Sequence, residues 1–515
     1  MMANSFRLTL FLALSILECE ITAQSGFNRN YDFESDKGAA FVNLTLLDNA
    51  IIGYGLIINN DFPFQQGINL SSLDTFGNVN YAAPFYDTQG YHYIAENNYD
   101  IRVTNDQGII CTGVVFGKKT SYLLKTDSYF EPILWNEMTD SINKTTHTQR
   151  IIEISDGYII VGFKQRPNFR LDIYATRTDA AGNQLWEYYY GDYEEEEDIS
   201  SSIWKVSDSL IAIGGIITDN NPLAYEFFRS RILTINLEGE VVSDWQGDDV
   251  AQEAVLHGLH PTEDKGWIYA TAEYLGLDSF DSPRFQQRLV RLDSVGNYLW
   301  SNPVGETTWN TNLIWDIKPS GDGNWIGVGR LAPAGANYVG GWLFKFDNAG
   351  TVLWSRVDTA SIAGGDAEEH VLCGLSVLPS GSIVACGYFK NYAETPIKSY
   401  AWLIKTDANG CIDSTDCAVT GVTEPWTNGD SQVLYLYPNP ATDMLYLSLP
   451  GYTKNEVRYS ITDPTGRKVA EGVSPVFREQ VSMVVEDLVE GMYFISIMED
   501  GTDIRSLKFV KSSGE

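Results

Sequence analysis

The chain reads Arg177-Thr178-Asp179-Ala180-Ala181-Gly182-Asn183-Gln184-Leu185-Trp186, then Arg291-Leu292-Asp293-Ser294-Val295-Gly296-Asn297-Tyr298-Leu299-Trp300, then Lys345-Phe346-Asp347-Asn348-Ala349-Gly350-Thr351-Val352-Leu353-Trp354. The shared form is basic-x-Asp-x-x-Gly-polar-x-Leu/Val-Trp. Weaker copies stand at Asp74 with Gly77 and at Asp407 with Gly410. Another has Asn236 in place of Asp and keeps Gly239 and Trp245, while the copy at Asp127 lacks the glycine and keeps Trp135. The seven anchors are Asp74, Asp127, Asp179, Asn236, Asp293, Asp347 and Asp407, separated by 53, 52, 57, 57, 54 and 60 residues. A near-fixed period of this size is the mark of a repeat architecture.

One unit can be read physically. Trp315-Asp316-Ile317-Lys318 alternates as a strand does, and Pro319 to Gly323 is a turn. Asn324 to Gly329, Gly341 to Phe346 and Val352 to Val357 are three further strands. Between the last two, the Asp347 side chain caps a turn and Gly350 supplies the positive φ that closes a hairpin. About twenty residues before each anchor lies a short apolar strand ending near glycine, as in Ile159-Ile160-Val161-Gly162 and Val384-Ala385-Cys386-Gly387. The fifth copy has Ala272 instead. Such glycines belong on crowded inner strands.

Four antiparallel strands per unit, seven times over, predict an all-β fold: a β-propeller of seven four-stranded blades. Six or eight blades stay open, because the end units are degenerate. The segment near Tyr31 to Glu34 is the candidate for closing the ring, since the run after Gly410 is polar and bounded by cysteines. The units resemble propeller repeats of large secreted Bacteroidota-type proteins over residues 39–417, and they lack the Gly-His…Trp-Asp signature of WD40 units. That resemblance implies a fold and little about function.

The ends speak for export. Arg7 precedes an apolar run from Leu8 to Leu17, of signal-peptide length and too short to span a bilayer, with cleavage expected after Ala23. Cys19 does not make a lipoprotein signal, because Glu18 sits where a small residue is wanted. The expected organisation is a signal peptide at 1–23, the propeller at 24–417, a polar linker at 418–432 and a terminal domain at 433–515. No other run reaches transmembrane length, so the mature chain is expected to be soluble or attached by other means.

About seven short alternating strands in the terminal domain fit an immunoglobulin-like β-sandwich. The stretch resembles the type IX secretion C-terminal sorting domain of Bacteroidota. Tyr437-Pro438-Asn439-Pro440 with Asp443 and Leu445, Asp463 with Gly466, then Leu488, Gly491 and Tyr493, and finally Lys508 with Val510-Lys511 carry the resemblance in order. It implies Sec export, recognition by the type IX secretion machinery, and usually removal of the domain. Attachment to surface lipopolysaccharide or release would follow.

Composition bounds the partners. The net charge is −33, from 35 Lys and Arg against 68 Asp and Glu, so nucleic acid is a poor partner. Acidity favours solubility and loose cation association. The run Tyr193-Glu194-Glu195-Glu196-Glu197-Asp198 lacks the alternate spacing of a calcium loop and reads as a solvated connection, so calcium is only a remote cofactor candidate and none is otherwise identified. Cys411 and Cys417 enclose a loop short enough for a local disulfide; Cys111, Cys373 and Cys386 sit in apolar strands as core residues.

No nucleophile motif, zinc motif, phosphate loop or dinucleotide fingerprint is present in the sequence. His257-Gly258-Leu259-His260 has metal-ligand spacing but no carboxylate pattern beside it, and reads as two ordinary histidines. Trp135, Trp186, Trp245, Trp300 and Trp354 recur at one repeat position, which argues for blade packing. Trp309 and Trp342 do not recur and are freer candidates for ligand contact. Three functions compete: a surface interaction module for a protein or glycan ligand, a secreted hydrolase or lyase using carboxylates at the channel mouth, and a structural surface component.

Overall fold

The computed structural model describes residues 26–417 and 435–512, apart from 61–62, 98, 119, 139–145, 166–170, 192–197, 220–226, 252–255, 278–282, 310–311, 333–337, 361–367, 393–396, 414–415, 438–440, 449–455, 464–466, 477–479 and 500–501. The expected signal peptide and linker lie outside the described residues. Among the described residues all regular structure is β, in nine sheets.

Seven of the sheets are the blades: residues 39–85, 92–138, 146–190, 198–251, 257–309, 313–358 and 368–406. In each, the chain steps outward through antiparallel neighbours. The second blade splits its innermost position between His92–Ile94 and Ile101–Val103, both paired to Ile109–Phe116. The innermost strands touch one another in sequence, and Glu368–Val377 returns to Ala39–Leu47, so the ring is closed.

Closure uses the N-terminal segment. Phe27–Tyr31 pairs antiparallel with Lys398–Thr406 and completes the seventh sheet, with Phe27 opposite Lys405. The expected Tyr31 to Glu34 is displaced by a few residues. Phe33 and Glu34 have φ of 52° and 64°, a left-handed turn that no strand accommodates.

The apolar faces meet between blades. Ile159, Val161, Ile173, Ile203, Ile213 and Leu233 form one fully buried seam between the third and fourth blades. Each such side chain contributes about 1.5–3 kcal/mol of burial. Cys111, Cys373 and Cys386 are buried free thiols within these seams. Neither face of a single blade is covered without its neighbours, so the sectors stand together.

The recurring glycine has a steric cause. Six innermost strands carry an irregularity of register, as between Ile314 and Asp316 or between Leu372 and Gly374. The bulged backbone leans on the second strand. A Cβ on Gly329 would lie 1.8 Å from the Leu313 carbonyl oxygen, and one on Gly387 1.8 Å from that of Val371. Only glycine fits there. The fifth blade has no glycine at this place; its inner strand carries Gly258 at φ +60° instead.

The Asp-x-x-Gly turn is the same object seven times. Asp347 Oδ1 accepts the N–H groups of Ala349 and Thr351 at 2.9 and 2.8 Å, and Gly350 takes φ +79°. Asp74, Asp127, Asp179, Asn236, Asp293 and Asp407 bind their own turns in the same way. In the second blade Phe130 occupies the glycine place at φ +65°. The basic residue two positions before the anchor also has a fixed task. Lys125 pairs with Asp106, Arg177 with Asp156, Arg291 with Asp264 and Lys345 with Asp322, each in the first hairpin of its own blade.

These turns are also the sockets between blades. Trp186 Nε1 donates to the Leu237 carbonyl, Trp245 Nε1 to that of Gly296 and Trp300 Nε1 to that of Asn348, at 2.9, 2.9 and 3.0 Å. Tyr81 donates to Ser128, Asn136 to Gly182, Arg356 to Gly410 and, across the closure, Tyr31 to Gly77. Every joint of the ring is thus stitched from an outer strand to the next blade's turn.

The other two sheets lie in 435–511. Tyr435–Tyr437, Met444–Ser448 and Gln480–Val484 form one, and Lys468–Pro475, Glu456–Thr462, Gly491–Glu499 and Thr502–Lys511 the other. Leu445, Leu447 and Val481 of the first share a core with Ile461, Ile495 and Phe509 of the second.

Candidate functional site

The innermost strands line a channel that holds a pocket of about 320 Å³. Side chains alternate along a strand, so residues two apart share a face. Asp100 and Arg102 of the second blade and Asp316 and Lys318 of the sixth therefore reach the pocket in pairs. Arg150 arrives from the third blade, Ser202 and Trp204 from the fourth, and Asn43 from the first.

The charges hold one another. Asp100 Oδ2 accepts from Arg102 Nε at 2.9 Å and from the Ile151 N–H at 3.0 Å, joining two blades. The Arg102 guanidinium lies 5.6 Å over the Trp204 ring. Asp316 Oδ1 accepts from the Ile317 N–H at 3.0 Å, and its Oδ2 is 3.4 Å from Lys318 Nζ. Lys318 donates to the Leu375 carbonyl at 2.6 Å, reaching the seventh blade. Arg150 is 8% exposed, and the charges of Asp100 and Asp316 act on it.

Burial sets the proton affinities. It raises the Asp316 carboxyl pKa, against the pull of Lys318 and Arg150. It lowers that of the Arg150 guanidinium, against the pull of the two carboxylates. His257 is driven down to about 3 by burial and then by the Arg150 charge; its ring packs edge-on against Trp315 at 4.7 Å. His260 falls to about 4, chiefly by burial, with Nδ1 2.7 Å from the Pro261 carbonyl and its ring against Trp204 and Trp325. Both imidazoles are neutral at ordinary pH, packed on separate tryptophans. Among the described residues no group of three His, Cys, Asp or Glu is placed to hold a metal.

The structure places the sequence-derived residues elsewhere. Six of the turn anchors lie between the third and fourth strands of their blades and Asp407 follows the third strand of the seventh; none lines the channel pocket. Cys411 and Cys417 form a disulfide, whose loop gives the Ile412 carbonyl to the Gly26 N–H beside the closing strand. In the terminal sheets, Tyr493 donates its hydroxyl to the Val489 carbonyl at 2.7 Å, Gly491 opens its strand, and Lys511 bridges Ala441. The Asp443 carbonyl accepts from the Val485 N–H, and Lys508 lies in the last strand. Pro438, Asn439, Pro440 and Gly466 lie outside the described residues, as does the acidic run up to Glu197.

Two readings of tryptophan are corrected. Trp342 is 1% exposed, stacked on Phe344 with Nε1 donating to Ser355 Oγ; it is core, not a ligand contact. Trp135 does not share the repeat face of the other four. Its strand slips register between Pro132 and Leu134, so Leu134 takes the place opposite Lys125 that Trp186 takes opposite Arg177. A one-residue slip turns the side chain to the other side of the blade. Trp309 is in a strand, and its side chain lies outside the described residues.

The channel residues Asp100, Arg102, Arg150, Asp316 and Lys318 escaped the sequence reading. The available signal was a charge at alternate positions of otherwise apolar first strands, as in Asp316-Ile317-Lys318.

Residues 435–512 match the family model of the secretion system C-terminal sorting domain. The chain is accordingly exported through the type IX secretion system, to the cell surface or outside. Among the described residues no helix is long and apolar enough to cross a membrane. No curated protein matches the chain. Solved structures resemble it in fold. The polysaccharide lyase Uly1 is 10% identical, with TM-score 0.44, over 72% of this chain and 90% of that one. Extracellular domains 1-2 of Drosophila Semaphorin 1a are 8% identical, with TM-score 0.43, over 78% and 96%. A Dyadobacter fermentans protein of unknown function is 12% identical, with TM-score 0.37, over 74% and 97%.

Proposed function

We propose that this is an exported binding module. Its propeller, residues 24–417, recognises a protein or glycan ligand through the channel, while residues 433–515 direct secretion after removal of a signal peptide at 1–23. The sorting domain engages the type IX machinery and is then cut away, leaving the product released or attached to lipopolysaccharide. The observation that carries the binding reading is the fixed array of Asp100, Arg102, Arg150, Asp316 and Lys318 in the channel pocket. Donors and acceptors held by one another and by backbone groups are ordered before a ligand arrives, which lowers the entropy cost of recognition.

A pull-down from cell-surface and host extracts and a glycan array, with the purified exported protein as bait, test this reading. Capture that weakens in Arg102→Ala and Lys318→Ala variants supports it; capture indifferent to both sinks it. The second reading, a hydrolase or lyase, is favoured by Asp316. A buried carboxyl of raised pKa, with one oxygen facing only an ammonium at 3.4 Å, is suited to proton donation. It predicts turnover of a polysaccharide or peptide that disappears in Asp316→Asn.

A further inference from the structure

Trp135 leaves the joint it would have stitched. Asn136, one residue on, makes that joint to the Gly182 carbonyl at 2.8 Å. The indole turns instead towards the first blade, 5.8 Å from Phe85, 5.2 Å from Tyr93 and 6.0 Å from Tyr122. There it walls a cleft of about 730 Å³ between the first and second blades, together with Phe85 and Tyr86. This size falls in the ordinary range for ligand sites.

Beside the rings lies a rigid polar cluster. Lys118 Nζ bridges Asp87 Oδ2 at 2.9 Å and Glu137 Oε1 at 2.8 Å. Asp87 Oδ1 accepts the N–H groups of Gln89 and Tyr91 at 2.8 and 3.2 Å. The Lys118 and Glu137 side chains keep 17% and 27% of their surface exposed, so both are reachable from the cleft.

We propose that this cleft binds a neutral saccharide. A pyranose ring has C–H faces that pack on aromatic rings and a rim of hydroxyls that both donate and accept. Phe85, Tyr86 and Trp135 supply the first kind of surface; Lys118 and Glu137 supply a donor and an acceptor already fixed in place. One ammonium between two carboxylates leaves the cluster net negative, which disfavours uronate and sulfated chains. The proposal shares with the binding-module reading only that the propeller holds a ligand, and the cleft is separate from the channel.

The test is titration calorimetry of the full exported protein with gluco-, manno-, xylo- and galacto-hexaoses, and with polygalacturonate as the anionic comparison. At least one neutral oligosaccharide binds, polygalacturonate does not, and Trp135→Leu and Glu137→Gln each weaken binding by about tenfold or more. Asp208→Asn, on the exposed surface of the fourth blade and away from both sites, leaves it unchanged. Should Trp135→Leu not fold, Tyr86→Ala carries the same expectation. Absence of binding by every neutral hexaose overturns the cleft, whatever the channel captures. Binding that ignores the cleft variants but falls in Arg102→Ala also overturns it while leaving the channel reading standing.

Discussion

Replacing Gly329 by alanine tests the architecture where it is tightest. The new Cβ would sit 1.8 Å from the Leu313 carbonyl oxygen, with the Leu313 carbonyl carbon at 2.8 Å and the Ile314 Cα at 2.9 Å. All three are backbone, so no rotamer change relieves the clash. The innermost strand would have to retreat by roughly 1.5 Å to restore contact distance. That strand is held by its neighbours in the fifth and seventh blades, so the strain belongs at the upper end of overpacking, about 3 kcal/mol. For a protein of this size the apparent melting midpoint falls by roughly 3–4 °C. Gly321→Ala is the control. Nothing lies within 4 Å of its Cβ, and only its φ of +83° is penalised, by about 1 kcal/mol. Calorimetric scans of both purified variants decide the matter. If Gly329→Ala melts with the control or above it, the bulge does not set the glycine and the explanation of the repeat is wrong.

Asp347→Ala removes the acceptor for two backbone N–H groups and loosens the carbonyls that Trp300 and Asn302 bind; about 1–2 kcal/mol is lost, read by chemical denaturation. Deleting Phe27–Tyr31 opens the ring, so hydrogen exchange should rise first along Lys398–Thr406 and remain slow in the third and fourth blades. Acid should act on the hairpin pairs. The Lys125 ammonium, with Thr104, holds Asp106 at about 2, and Thr262 with Arg291 holds Asp264 at about 2. Both folded values lie below the ordinary 3.8, so their stabilisation is present above about pH 4 and is lost as pH falls towards 2. Lys125→Met should flatten the midpoint against pH in that window; each carboxylate is half exposed, so the effect is under about 1 kcal/mol.

The blades were legible because their signals are local. An Asp that binds N–H groups two and four residues on, and a glycine three residues on, leave a spacing that survives changes elsewhere. The channel was not legible, because each blade contributes a different polar residue to it and only the ring brings Asp100, Arg150 and Asp316 together. Trp135 was misread for a parity reason. It follows its anchor by eight residues, whereas Trp186, Trp300 and Trp354 follow theirs by seven and Trp245 by nine. An odd displacement flips the face and an even one preserves it, as the pairing of Trp245 with Ile232 shows. Counting that spacing would have set Trp135 on the other face of its blade, where it packs against the core between the first two blades. The closing strand was placed a few residues late because Asn28-Arg29-Asn30 is polar throughout, without the alternation that marks a strand, and its partner is nearly four hundred residues away (Asn28 faces Ile404).

Export is the claim on which a role outside the cell depends. The direct measurement is the amount and intact mass of the protein in medium, outer-membrane and periplasmic fractions, from cells making either the full chain or one lacking 435–512. The full chain's product is expected at the surface or in the medium, and the truncated product inside the cell. Equal amounts of both outside the cell would contradict that claim.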